Sequence, residues 1–171
     1  MGAAGIAAPN FIFEDQLVMT AFASTSNTAH LPHPETHSEF YEDVVSKRLL
    51  AWLVDVLIIS ILTAFLSIFT LLTALLILPL FYAVISFLYR WVSLTSRSAT
   101  PGMRLFAVEF RRDDGSHFDG GTAFLHTAGY FVSVAVFPAQ FLSIAMMLLS
   151  PRRQGLTDAI LGTALLNTRA R

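Results

Sequence analysis

From Leu49 to Tyr89 the chain runs 41 residues with one ionisable side chain, Asp55. As one helix this stretch would be about 60 Å long, roughly twice the hydrocarbon thickness of a bilayer. A soluble helix of that length would carry a polar face, and this segment has none. The pattern predicts a transmembrane helical hairpin over 47–92, with helices over roughly 48–67 and 71–91. The connection, around Ser67, Thr70 and Thr73, bears no charge. Pro79 falls inside the second helix, where a membrane protein can satisfy the freed carbonyl with neighbouring groups.

The pattern then changes. Residues 93–121 read as a turn and a strand. Thr100-Pro101-Gly102 is turn chemistry, with Pro setting φ and Gly supplying positive φ. Arg104–Arg112 alternates, with Phe106, Val108 and Phe110 on one side, and Asp113–Ser116 closes the run with a second turn. A third apolar segment, 122–150, contains a single ionisable residue, His126, with Pro138 and Gln140 near its middle. It is long for one crossing and short for two, so it reads as a single span, a re-entrant pair or two short helices. Residues 151–171 form a tail in which Thr163–Asn167 suits a short strand, expected to pair with Arg104–Phe110. The expected fold is an all-α polytopic membrane protein with a small cytoplasmic β element.

Composition agrees with that pattern. Hydrophobic residues make up 54% and charged residues 13% of the chain, half the charge usual in soluble domains. Net charge is −1, which gives no field to attract nucleic acid. There is no cysteine, so disulfides, thiolate nucleophiles and thiolate metal sites are excluded. Residues 1–46 hold six acids and no Lys or Arg. They lack the basic start of a signal peptide and read as a disordered cytoplasmic tail. An alternative is that the natural chain starts at Met19. Lys47, Arg48, Arg90, Arg97 and Arg104 gather at the hairpin's open end, which predicts a multi-pass inner-membrane protein with a cytoplasmic amino terminus.

Catalytic signatures for nucleophilic hydrolysis, zinc proteolysis or nucleotide binding are missing from the sequence, so no enzyme, catalytic residue or cofactor is expected. His30, His33 and His37 form a short tract without the carboxylate pattern of a metal site, and no metal is expected. Asp55 stands out because an intramembrane carboxylate costs on the order of 3 kcal/mol. It reads either as a proton or cation site, or as a hydrogen-bonding pin between helices. His126 reads as a relay partner of Asp55 or as another interhelical bond.

The segments KRLLAWLVDVLI (47–58), TPGMRLFAVEFRRDDGS (100–116) and RRQGLTDAILGTALL (152–166), in that order, resemble the RDD family of small bacterial and archaeal integral membrane proteins. The resemblance covers 44–167 and puts the family's Arg and two Asp on Arg48, Asp55 and Asp158. Two positions depart from it: Met103 follows the turn glycine where a basic residue is frequent, and His126 stands where Arg is frequent. The resemblance implies a membrane location and a transport-related role for ions or small solutes. The alternative is a non-catalytic scaffold or assembly partner. Implied partners are the lipid bilayer and a second copy or another membrane protein. Arg48 and Asp158 are expected to pair near the cytoplasmic surface, because an arginine stem reaches toward the interface more readily than inward.

Overall fold

The computed structural model describes residues 31–69 and 77–170, which are mostly helical with one two-stranded sheet. Helix α1 spans Val44–Phe69 and helix α2 spans Leu78–Arg97. Both are long and apolar enough to cross a membrane. Thr70 and Thr73 of the expected connection lie outside the described residues. Pro79 does not interrupt α2. It sits in the first turn, where a missing N–H breaks no intrahelical bond.

These helices are apolar outside and polar inside. On α1 the buried stripe is Ala51, Asp55, Ile59, Thr63 and Ser67, one residue per turn. The opposite stripe, Leu49, Leu53, Leu57, Ile61 and Phe65, is exposed. Helix α2 buries Ile85, Ser86, Arg90 and Leu94 and exposes Leu80, Val84, Leu88 and Val92. Lipid solvates leucine as well as a protein interior does, so small and polar side chains take the inter-helix seam.

Thr100 does not head a loop turn. Its hydroxyl accepts from the Met103 N–H and caps a short helix, α3, Pro101–Leu105. Helix α3 delays the expected strand, because Arg104 and Leu105 are helical and Ala107 must reverse the chain at positive φ. Strand β1 is therefore Val108–Arg112. It pairs antiparallel with β2, Thr163–Asn167, with Phe110 opposite Leu165 and Val108 opposite Asn167. A lone ribbon is marginal in water. This one is covered on both faces: Val108, Phe110 and Leu165 join Val44 and Ala51 of α1, while Ala164 and Leu166 pack on Leu31 and Tyr41.

That second contact corrects the reading of 1–46 as one disordered tail. Leu31–Asp43 is ordered against the ribbon, anchored by the buried Leu31 and Tyr41. The Asn167 amide donates to the Glu39 and Glu42 carbonyls, and the Leu31 N–H donates to the Asp113 carbonyl. Residues 1–30, including His30 and Met19, lie outside the described residues; His33 and His37 are exposed.

The third apolar segment is broken. Helix α4, Gly120–Ala135, meets helix α5, Phe137–Leu149, at 116°. Val136 is extended, and Pro138 stands in the first turn of α5. At 16 and 13 residues, each is shorter than the about 30 Å hydrocarbon core. A six-residue helix α6, Leu156–Leu161, leads through the left-handed Gly162 into β2. Both ends of the bent pair are tied near the ribbon. The Trp91 indole donates to the Gly120 carbonyl at 3.0 Å, and the Gln154 amide donates to the Thr163 carbonyl at 2.7 Å.

This arrangement predicts that the bent pair enters and leaves on one side. The chain has no cysteine, so single substitutions can be labelled without background. Cysteines at the exposed His117 and Arg169 are expected to react with an impermeant maleimide from the same side. Labelling from opposite sides would make α4 and α5 one tilted span.

Candidate functional site

The start of α1, the end of α4's second turn and the first turn of α6 converge on Asp158, which is 1% exposed. One carboxylate oxygen, Oδ2, accepts from Arg48 Nη1 at 2.6 Å and from the Gly155 N–H at 2.9 Å. The other, Oδ1, lies 2.8 Å from His126 Nε2. Asp158 therefore does two things at once: it caps its own helix and joins the first and last thirds of the fold. Burial pushes its carboxyl up, but the Arg48 charge and the His126 contact outweigh that and hold it well below the usual carboxylate range. An ionised carboxylate only accepts, so the His126 proton sits on Nε2. The guanidinium of Arg48 lies over the Phe110 ring at 5.1 Å, and the His126 ring packs on Phe110 at 4.4 Å.

Asp55, fully buried, lies two turns further along α1. Its Oδ1 accepts from the Tyr89 hydroxyl at 2.8 Å and the Gly102 N–H at 2.9 Å. Its Oδ2 accepts from the Thr100 hydroxyl at 2.5 Å. The carboxylate thus fastens α1 to α2 and to the first turn of α3. Gly102 is required for this approach. A Cβ there would fall on the Ala51 carbonyl oxygen and come within 2.7 Å of Asp55 Oδ1. Donors rather than oxygen ligands surround Asp55, which suits a helix pin better than a hard-cation cage.

Arg48 and Asp158 thus meet directly, while Asp55 belongs to a separate cluster. His126 is hydrogen-bonded to Asp158 rather than to Asp55, because the α4 face that carries it turns toward α6; it shares with Asp55 only a cavity wall. The two clusters share the wall of a cavity of about 70 Å³, lined also by Arg90, Thr127 and Tyr130. Tyr89, Thr100, Gly102 and Arg90 escaped the sequence reading. Tyr89 stands at the end of the apolar run and Arg90 among the cations at the hairpin's open end, positions that do not signal a buried role. Thr100-Pro101 carried an N-cap and N1 signal that the neighbouring Gly102 disguised as a turn.

Breaking a buried pair typically costs about 3–5 kcal/mol. Arg48→Ala should therefore sharply lower thermal stability and membrane abundance. Arg48→Asp with Asp158→Arg should recover part of it, because the reversed pair cannot restore the Gly155 and His126 bonds. No recovery would leave Arg48 as an interfacial anchor. The depressed Asp158 pKa adds stability that is complete above about pH 3.9 and lost as pH falls through the lower, folded value. Acid titration of the unfolding midpoint in wild type and Asp158→Asn checks the sign. Separately, Gly102→Ala should cost more than the usual surface substitution and dissociate α3 from α1, read as protease sensitivity after Arg104. Wild-type resistance in that variant would contradict the close approach.

Comparison with known proteins returns one family. The sequence model described as RDD family matches residues 44–162, more than half of the chain. No curated protein and no solved structure matches it. The matched span holds both membrane-length helices, the Arg48–Asp158 pair and the Asp55 pin, and the chain belongs to the RDD family of membrane proteins.

Proposed function

We propose that this chain is a non-catalytic assembly module of the bacterial inner membrane. It fastens a compact cytoplasmic platform, the ribbon with α3 and α6, to a helical hairpin that other membrane proteins or a second copy can pack against. The observation that supports this most is that the carboxylates of Asp55 and Asp158 both accept their hydrogen bonds from this chain's own donors. Carboxylates engaged in this way act as structural fasteners, and their donors come from five different elements. The positive-inside rule supports cytoplasmic placement of the ribbon end, where Lys47, Arg97 and Arg104 stand. With the bent pair returning to that end, both described chain ends are cytoplasmic.

A second reading, a transport-related component for ions or small solutes, draws on the small cavity whose wall Asp55, Arg90 and His126 share. Asp55→Asn separates the two. The amide keeps the shape but cannot accept from all three donors, and leaving buried donors unmet costs about 1–3 kcal/mol each. An assembly module should lose abundance and thermal stability in this variant. Intact abundance with an altered ion-dependent growth phenotype would favour transport and defeat the assembly reading.

A further inference from the structure

Arg90 is a buried cation whose charge no hydrogen bond among the described residues uses. It lies on α2 seven residues before Arg97 and is 8% exposed. A guanidinium does not deprotonate in a protein, so burial cannot neutralise it. Its π face stacks on Tyr130 at 4.4 Å. Among the described residues, no hydrogen bond or ion pair reaches it, and its buried Nε has no partner. The Tyr130 ring lies against the face of the group, and the buried Nε–H in its plane stays unmet. Thr127 of α4 repeats the pattern: it is 1% exposed, and its Oγ1 has no partner. Arg90 and Thr127 line the same cavity of about 70 Å³.

We infer that this cavity binds a small monovalent inorganic anion of halide size, held by the Arg90 guanidinium and the Thr127 hydroxyl. Its volume suits a halide with a water or two and excludes organic ligands. Asp55 shares the cavity wall but does not meet Arg90, because its oxygens face Tyr89, Thr100 and Gly102. The surrounding formal charges are Arg48 and Asp55 on α1, Arg90 on α2 and Asp158 on α6, which sum to zero. Tyr89 and Tyr130 add only neutral hydroxyls, and the ribbon side presents Phe110.

The test uses the full chain, purified in detergent. The chain has two tryptophans, and Trp52 lines the cavity. In a Trp91→Phe background, bromide is titrated against gluconate at constant ionic strength, reading Trp52 quenching and the unfolding midpoint. Saturable quenching and a bromide-dependent rise in midpoint are expected. Arg90→Gln should abolish both, and Thr127→Val should weaken binding about tenfold, as for one lost hydrogen bond to a charged group. Linear quenching with no midpoint shift in the parent would overturn the site and leave Arg90 to water alone. Should Arg90→Gln fail to fold, the near-isosteric Thr127→Val carries the test, and unchanged bromide affinity there overturns the proposal.

Discussion

The bond from Arg48 to Asp158 closes the fold. It joins the first turn of α1 to a six-residue helix more than a hundred positions away. A carboxylate at 1% exposure would be very costly without partners, and it holds donors from α1, from α4 and from its own helix start. Because α6 runs directly into β2, placing Asp158 also places the strand. Lys47, one residue before Arg48, reinforces this by donating to the Asn167 side chain at 2.7 Å. The ribbon, the ordered segment Leu31–Asp43 and the bent pair all take their positions from that junction.

A second constraint acts along the membrane helices. A chain immersed in hydrocarbon gains nothing by hiding leucine, and gains much by pairing every polar group. The buried stripe of α1 accordingly mixes alanine, isoleucine, hydroxyls and Asp55. Thr63 and Ser67 satisfy themselves on carbonyls one turn back. Asp55 has no such local option and must draw donors from other elements. That requirement explains why a five-residue helix, α3, is held against α1, with Gly102 allowing backbone-to-backbone contact.

Function follows from how these groups divide. Arg48, Asp55 and Asp158 are engaged by donors and acceptors of the same chain, which suits fastening. Two of the buried groups left with unmet hydrogen-bonding capacity, Arg90 and Thr127, line the cavity that both fastened clusters share. On the proposed reading, stability and ligand chemistry are carried by different residues of one cavity wall. His126 is the link between them, since it lines the cavity and is bonded to Asp158.

Much of this was legible in the sequence. The unbroken apolar run of 49–89 dictated a hairpin, because a bilayer accepts about twenty residues per crossing. Alternation marked Val108 and Phe110 as one strand face, and the short run at Thr163–Asn167 marked its partner. The charges on Arg48 and Asp158 suggested a pair, because both fell near one membrane surface. Other features depend on tertiary contacts that leave no local periodicity. Leu31 and Tyr41 look like isolated apolar residues in a polar tail until the second face of the ribbon is present to receive them. Thr100-Pro101-Gly102 suits a turn as well as a helix start, and the buried Asp55 decides between them. Tyr89 and Arg90 have the composition of an interfacial belt, and only the packing of α4 against α2 turns Arg90 inward onto Tyr130. The sequence by itself determined which segments enter the membrane, because transfer of apolar surface is a local, additive property. The tertiary structure decided which polar groups meet, because hydrogen bonds depend on distance and direction between elements far apart in the chain.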